Sequence, residues 1–203
     1  MSDHVPFVKV CGLSTANDVQ VAVQHGADAI GFVLTTSARE VTPQQAAQLA
    51  VRVPEGVATV AVFHTEVLPT VLERATAAKV GWVQLHGQRT PDDVKLAHDA
   101  GFKVIRAVRR DANPEDFADW GEDLLLIDAS VPGSGKSWDY AAVRELAAGR
   151  QWLVAGGLTP QNVVEALELS AATGADVSSG VESSRGVKDP ELIARFVDAA
   201  KGA

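Results

Sequence analysis

The sequence predicts an α/β protein, a single (β/α)8 TIM barrel that spans residues 1–203. Short apolar runs rich in β-branched residues alternate with amphipathic helical stretches along the whole chain. Eight such strands are present, and they recur roughly every 24 residues, which leaves room for one strand, one helix and two short loops. No stretch resembles an interdomain linker, so we expect one catalytic domain.

The strand candidates are mostly continuous apolar runs, as expected for parallel strands buried on both faces. A doubly wound open sheet is the alternative to a closed barrel. Its glycine-rich fingerprint should follow the first strand, and Cys11-Gly12-Leu13 is not one. The predicted strands are Phe7–Val10, Ala29–Val33, Ala58–Phe63, Trp82–Leu85, Lys103–Ala107, Leu124–Ile127, Trp152–Ala155 and Asp176–Ser179.

Helices are predicted in the slots between the strands, and the sequence indicates the first residue of several of them. In four slots a residue that can cap a helix precedes a proline, which is favoured at the first helical position. These four starts are Thr42-Pro43, Thr90-Pro91, Thr159-Pro160 and Asp189-Pro190. The fifth slot, Asn113–Trp120, has only a short helical pattern. The other predicted helices are Ala16–His25, Pro43–Val53, Leu68–Lys79, Pro91–Ala100, Tyr140–Ala148, Pro160–Ser170 and Pro190–Lys201.

Composition and charge exclude several classes of protein. The net charge of −8 argues against nonspecific binding of nucleic acid, although a local cluster of amides and cations can still hold one phosphate. The single cysteine excludes an intrachain disulfide, and with five histidines it cannot build a thiolate zinc site. We find neither a signal peptide nor an apolar run long enough to span a membrane. We therefore expect a cytoplasmic protein, and monomer and homodimer both stay open.

The active site of such a barrel lies where the strands run out into the following loops. The polar residues at the predicted exits include many glycines, one thiol, one carboxylate and several cations. They are Cys11, Thr35–Arg39, His64, His86, Arg106–Arg109, Asp128, Gly156-Gly157 and Ser178–Gly180.

Three late exits carry glycine-rich segments. Glycine lets backbone N–H groups approach an anion closely, and the seventh and eighth loops are the usual phosphate site of this barrel. The alternative is that these segments are only tight turns. The sequence therefore predicts a small phosphorylated substrate, held by Gly133-Ser134-Gly135, Gly156-Gly157 and Ser179-Gly180.

Two further exits carry candidate proton carriers. Asp128 directly follows a buried run, and burial raises the pKa of a carboxyl group and suits it to donate a proton. A structural aspartate that caps the next loop is the alternative. Cys11 ends the first strand, where a thiolate can act as a base or a nucleophile, although a lone buried cysteine is often an inert hydrophobic residue.

Arg39 and two histidines complete the set of candidates. Arg39 in the second loop can clamp a carboxylate through two parallel hydrogen bonds, or it can be a solvated surface arginine. His86 and His64 fit either an acid–base role or a structural, hydrogen-bonded one.

Taken together, these motifs resemble the phosphoribosylanthranilate isomerase family, whose members catalyse an Amadori rearrangement in tryptophan biosynthesis. The resemblance covers nearly the whole chain, and the order and spacing of the motifs make it specific. The matching segments are Lys9-Val10-Cys11-Gly12-Leu13, Gly26–Val33, Ser37-Ala38-Arg39, Val83–Gly87, Val154–Leu158, Asp176–Glu182 and Gly186–Asp189.

The resemblance implies an aldose–ketose isomerase that acts on N-(5-phosphoribosyl)anthranilate without metal or organic cofactor. It makes Cys11 the general base and Asp128 the general acid, in agreement with the reading of the residues themselves. Arg39 is then expected to hold the anthranilate carboxylate. His86 is a candidate to support the site, on the grounds of its own position after the fourth strand. The remaining substrate-binding candidates are Gly133, Ser134, Gly135, Gly156, Gly157, Asp176, Ser179 and Gly180.

Departures from the family pattern concern substrate positioning. Ala38 replaces the usual proline before Arg39, and His64 stands where an asparagine is common nearby. The sixth loop lacks a double glycine, and Ser184-Arg185-Gly186 lacks a proline. Rival functions are a phosphosugar isomerase of histidine biosynthesis, an enzyme that serves both pathways, and a noncatalytic phosphate-binding barrel. The histidine-pathway barrels place an aspartate where this chain has Cys11.

Overall fold

Eight parallel strands close on themselves, which confirms the barrel predicted from the sequence. The computed structural model describes residues 5–129, 138–147 and 149–202. Each strand pairs with the next, and the last pairs with the first, so that Phe7 lies opposite Gly174. The strands are β1 (Phe7–Cys11), β2 (Ala29–Val33), β3 (Ala58–Phe63), β4 (Trp82–Leu85), β5 (Lys103–Arg109), β6 (Leu124–Asp128), β7 (Trp152–Val154) and β8 (Gly174–Val177).

Helices and short helical turns connect the strands. The α-helices are α1 (Ala16–Gln24), α2 (Pro43–Ala50), α3 (Leu68–Ala77), α4 (Pro91–Asp99), α5 (Val163–Ser170) and α6 (Pro190–Lys201). Short 3-10 helices lie at Pro114–Phe117, Tyr140–Val143 and Ser179–Val181, and a hairpin of β9 (Glu182–Ser184) and β10 (Val187–Lys188) follows the last of them. Within the described part of the chain, no helix is long and apolar enough to cross a membrane.

Side chains along each strand alternate between two cores. On β5, Ile105 and Ala107 point into the barrel, whereas Val104 and Val108 pack in the outer core that includes the helices. On β1, Val10 belongs to the outer core and Cys11 to the inner one. Since the last inward-facing residue of each strand lies at the barrel mouth, this alternation decides which side chains can line a site there.

Three of the four predicted helix starts are confirmed. Thr42, Thr90 and Asp189 each accept a hydrogen bond from a backbone N–H in the first turn of α2, α4 and α6. The prediction at Thr159-Pro160 is wrong, because α5 begins later, at Val163. The Asn162 side chain accepts from Thr159 N (2.7 Å) and donates to the Gly157 carbonyl (3.0 Å), and these bonds hold the preceding residues in a turn.

The fifth slot forms only a 3-10 turn at Pro114–Phe117 and not the predicted helix over Asn113–Trp120. Two arginines occupy the carbonyl oxygens that an α-helix needs for its own ladder. Arg106 donates to the carbonyls of Asp116 and Ala118, and Arg150 donates to that of Phe117. Buried side chains thus replace helical hydrogen bonds in this slot.

In the sixth slot, where a helix over Tyr140–Ala148 is predicted, the described residues form a 3-10 helix at Tyr140–Val143 and then turns. The backbone bonds here span three residues, as from Arg144 N to the Ala141 carbonyl (3.2 Å). The eighth strand also differs, since it occupies Gly174–Val177 rather than Asp176–Ser179. Its register is fixed by pairing with β1, and residues from Ser179 turn away as a 3-10 helix.

Candidate active site at the barrel mouth

Cys11 is the last residue of β1, and its side chain faces the barrel interior with 6% of the residue exposed. A β-carbon at Gly31 of β2 would lie 3.0 Å from Cys11 Sγ, so the glycine keeps room for the thiol. Burial raises the pKa of the Cys11 thiol, while the ammonium groups of Lys9 and Lys188 lower it. Burial outweighs the two cations, so the pKa of the thiol lies above its ordinary value.

Asp128 is the last residue of β6 and is 8% exposed. Burial raises the pKa of its carboxyl group to about 7, and a hydrogen bond from Ala129 N to Oδ1 (2.7 Å) opposes that shift. At the β7 exit, a β-carbon on Gly156 would lie 2.7 Å from the same Oδ1. The carboxyl group is thus enclosed by the next exit, and near neutral pH it can donate a proton.

Asp176 lies on β8 and is bound to a buried lysine. Lys9 Nζ donates to Asp176 Oδ1 at 2.8 Å, and Lys9 is fully buried. Burial raises the pKa of Asp176, and Lys9 opposes that shift. Asp176 is predicted from the sequence to bind substrate, and one of its two carboxylate oxygens is engaged by Lys9.

Arg39, in the loop after β2, is held by a glutamate from the far end of the chain. Its Nε and Nη2 donate to the two carboxylate oxygens of Glu182 at 2.5 and 3.1 Å. Glu182 also accepts from Lys188 Nζ (3.1 Å) and from Gly186 N (3.1 Å). This pair fixes the guanidinium group and occupies one edge of it, although Arg39 is predicted from the sequence to bind a substrate carboxylate.

His86 follows β4 and is a neutral hydrogen-bonding group. Its Nε2 lies 2.7 Å from Gln84 Nε2 and accepts its hydrogen bond, since burial lowers the pKa of His86 to about 3. The ring of His64 lies 6.0 Å away between centroids. Gln84 Oε1 is buried and has no hydrogen-bond partner among the described residues. This arrangement gives His86 a fixed ring orientation and no proton to release at neutral pH.

The late exits bring two of the three predicted phosphate segments together. Gly156 and Gly157 follow β7 with left-handed φ angles of 84° and 70°, a conformation that favours glycine. Ser179 and Gly180 begin the 3-10 helix after β8, and a β-carbon on Gly180 would lie 1.7 Å from the Leu158 carbonyl. The two segments are therefore packed against each other. Gly133, Ser134 and Gly135 lie outside the described residues.

A cavity of about 690 Å³ opens between the exits of β4, β5 and β6. Asp128 contributes to its lining, so the carboxyl group faces open space at the mouth. Its lining is polar and carries charges of both signs, from Arg89, Arg106 and Arg109 and from Asp111, Asp116 and Asp128. The space suits a polar small molecule.

Trp138 and Tyr140 form an aromatic pair that sequence reasoning did not assign to the site. Their ring centroids lie 4.7 Å apart. The indole Nε1 donates to the Ala155 carbonyl (3.1 Å), and the phenol donates to the Gly156 carbonyl (3.0 Å). Both anchor the β7 exit, next to the predicted phosphate segment.

Lys9, Lys188 and Glu182 are the other residues that sequence reasoning did not assign to the site. A signal existed for Lys9, because it stands two positions before Cys11 on a strand and must face the same way. Lys188 and Glu182 come from a short hairpin, and no local pattern connects them with Cys11. Among the described residues, no three histidine, cysteine, aspartate or glutamate side chains are placed to hold a metal ion.

Over nearly its whole length the chain is similar to known proteins. A sequence profile of the family described as N-(5'phosphoribosyl)anthranilate (PRA) isomerase matches residues 8–199. The N-(5'-phosphoribosyl)anthranilate isomerase of Paracoccus denitrificans is 44% identical, over 94% of this chain and 94% of its own length.

Solved structures show the same similarity. Phosphoribosyl anthranilate isomerase from Thermus thermophilus matches with a TM-score of 0.88 and 34% identity, over 95% of this chain and 97% of that chain. A phosphoribosyl anthranilate isomerase in complex with reduced 1-(o-carboxyphenylamino)-1-deoxyribulose 5-phosphate matches with a TM-score of 0.84 and 32% identity, over 98% and 100%.

Proposed function

The chain belongs to the N-(5'-phosphoribosyl)anthranilate isomerase family, and we propose that Cys11 and Asp128 carry the two proton transfers of its reaction. Membership makes the protein an isomerase of tryptophan biosynthesis. The proposed reaction converts N-(5-phosphoribosyl)anthranilate into 1-(2-carboxyphenylamino)-1-deoxyribulose 5-phosphate. The observation that carries the residue roles is a buried carboxyl group with a pKa near 7 at the same barrel mouth as a thiol flanked by cations.

Asp128 acts first, as the general acid. It gives its proton to the furanose ring oxygen, the bond from C1 to that oxygen breaks, and the anilino nitrogen becomes part of a protonated Schiff base. A carboxyl group with a pKa of about 7 suits this step, because it holds a proton near neutral pH and releases it to a basic oxygen.

Cys11 acts second, as the general base. Its thiolate removes the proton from C2 of the open sugar, and the electron pair of that C–H bond flows into the iminium group to give an enolamine. The enolamine tautomerises to the aminoketone, so the oxidation at C2 and the reduction at C1 balance within one molecule. The iminium cation acidifies the C–H bond and favours the thiolate next to it.

Other residues hold the substrate in this proposal. The phosphate group binds at the late exits, where Gly156, Gly157, Ser179 and Gly180 bring backbone close to an anion. Arg39 receives the anthranilate carboxylate, and Glu182 keeps its guanidinium group in place. Asp176, bound to Lys9 through Oδ1, supports the sugar from below through its other oxygen.

The test is isomerisation of freshly generated phosphoribosylanthranilate, followed by loss of substrate fluorescence. We expect turnover with the wild type and a fall of kcat by roughly 10²-fold or more in Cys11→Ser and Asp128→Asn, the usual scale for a lost acid or base. Asp99→Asn, an exposed carboxylate on α4, is the matched control and should keep full activity. Wild-type kcat in either site variant would reject that residue's role, and no turnover by folded wild type would reject the reaction.

A further inference from the structure

Lys9 lies inside the barrel one inward-facing position below Cys11, and the mechanism above gives it no role. A lysine with none of its surface exposed needs a partner, and Asp176 supplies it at 2.8 Å. A β-carbon on Gly31 would lie 3.2 Å from Lys9 Nζ and 3.0 Å from Cys11 Sγ. The ammonium group of Lys9 and the thiol group of Cys11 therefore both lie against Gly31 of β2.

The charged groups around Cys11 carry a net charge of one positive unit when Cys11 is a neutral thiol. Four charged groups act on the thiol from four different elements, and a fifth, Glu182, is paired with two of them. The cations outnumber the carboxylates by one. The five groups are Lys9 from β1, Arg39 from the loop after β2, Asp176 from β8, Glu182 from β9 and Lys188 from β10. A thiolate at Cys11 makes the cluster neutral.

We propose that Lys9 is a positioning residue that stabilises the thiolate of Cys11, and that Asp176 holds the lysine in place for this purpose. The proposal rests on the function proposed above, in which Cys11 is the base. A buried thiolate is costly to form without a nearby cation. Lys9 is the cation that faces the thiol on its own strand, and its pKa stays above the usual lysine value because Asp176 and Cys11 outweigh the effect of burial.

A titration of the thiol tests the proposal without any turnover. The chain contains one cysteine, so the ultraviolet absorbance of the thiolate and the rate of alkylation by iodoacetamide both report on Cys11 alone. In Lys9→Met we expect the titration midpoint to rise by about one pH unit or more, which corresponds to at least about tenfold less thiolate below the midpoint. A midpoint equal to that of the wild type would overturn the proposal.

Two variants separate this effect from damage to the fold. Lys201→Met removes a lysine that binds Asp28 at the opposite end of the barrel, and its titration should match the wild type. If Lys9→Met fails to fold, Lys9→Met/Asp176→Asn keeps the interior neutral. Because Asp176 itself raises the pKa of Cys11, the double variant is compared with Asp176→Asn alone, and its midpoint should lie above that of the single variant. Equal midpoints in these two variants would reject the role of Lys9.

The pH profile of kcat/KM gives a second readout. The proposed mechanism needs Asp128 protonated and Cys11 ionised at the same time. When the thiol is the weaker acid, the single shared proton lies mostly on Cys11, so this active form is a minor one. It is lost at low pH and at high pH, which makes the profile bell-shaped. Its acidic limb lies near the Asp128 value, about 7, and its alkaline limb at the thiol value. Lys9→Met should move the alkaline limb upward by about one pH unit or more. The acidic limb should rise by less, because Lys9 is the last of the groups that act on the pKa of Asp128, and the plateau should fall by the difference between the two shifts. A loss of activity with both limbs unmoved would indicate a merely structural role.

Failure of this inference and failure of the proposed function give different results. If the wild type does not turn over phosphoribosylanthranilate, the reaction is rejected, while the thiol titration still reports whether Lys9 controls Cys11. If the wild type turns over and the titration midpoint is unmoved in Lys9→Met, the reaction stands and the role of Lys9 is rejected.

Discussion

At the scale of single residues, Asp128 shows what burial of a proton carrier costs. The unfolded chain ionises this carboxyl near its ordinary value of 3.8, whereas the folded protein holds it at about 7. A folded pKa raised above the unfolded value adds stability at low pH, and that contribution is lost as the pH rises through the folded pKa. Asp128 therefore makes the fold least stable, relative to a neutral residue, in the range above pH 7 where it is ionised.

Asp128→Asn should accordingly stabilise the protein in a pH-dependent way. We expect the free energy of unfolding of the variant, relative to that of the wild type, to be higher at pH 8 than at pH 4 by roughly 2–4 kcal/mol. This magnitude follows from the upward shift of the Asp128 pKa on folding. Urea unfolding at the two pH values measures the difference. If the difference in free energy of unfolding were the same at all pH values, the pKa of Asp128 would not be raised by burial in the folded protein.

The residue scale also shows how far sequence reasoning could go at the site. Cys11 and Asp128 were found because each ends a buried strand, and the structure places both at the barrel mouth. Their proposed roles remain predictions. The partner of Arg39 could not be predicted, because Glu182 lies 143 positions away and only the closed barrel brings the two together. Local patterns carry no information about such pairs.

At the scale of elements, the strands follow from local sequence, and the helix slots do so only in part. Buried parallel strands are continuous apolar runs, and the prediction for β2, β3 and β4 agrees with the structure at both ends. The fifth slot fails because Arg106 and Arg150 bind its carbonyls, and these arginines lie outside the slot itself. An element whose shape is set by distant side chains leaves no pattern in its own sequence.

Glu122 binds both arginines that donate to the carbonyls of the fifth slot. It accepts from Arg106 Nη2 (2.8 Å) and Arg150 Nη2 (2.5 Å), and Arg106 stacks on Trp120 with 4.0 Å between the guanidinium carbon and the ring centroid. Glu122→Gln should lower the free energy of unfolding by roughly 3–5 kcal/mol, because it leaves a buried arginine without its counter-charge. Urea unfolding tests this, with Asp99→Asn as the control.

The control removes an exposed partner of Lys95 on α4, and it should leave the unfolding midpoint almost unchanged. Equal effects of Glu122→Gln and Asp99→Asn would show that the buried network contributes no more than a surface pair. The Glu122 variant should also lose the fixed position of Trp120, which near-ultraviolet circular dichroism can follow.

At the scale of the whole molecule, one contact decides whether the barrel closes. A β-carbon on Gly174 would lie 2.1 Å from the Phe7 carbonyl and 2.7 Å from Leu153 Cδ2, so β8 fits between β7 and β1 only with glycine there. Gly174→Ala should destabilise the protein by about 3 kcal/mol or more, since backbone would have to move at the closing seam.

Gly81→Ala is the matched comparison, because no atom lies within 4 Å of a β-carbon at that position, just before β4. It should leave stability unchanged or raise it slightly through the unfolded chain. Thermal unfolding of both variants measures the difference. Equal melting temperatures for the two would mean that the seam between β8 and β1 yields freely to an added methyl group.

The pairing of β8 with β1 also determines when the barrel can close during synthesis of the chain. A ribosome makes β1 long before its partner β8, since the paired residues Lys9 and Asp176 lie 167 positions apart. Until then β1 has an unpaired edge, and a parallel pair so distant in sequence is slow to form. Completion of the barrel therefore waits until β8 has been made, when the nascent chain is long, partly collapsed and most in need of protection from its neighbours.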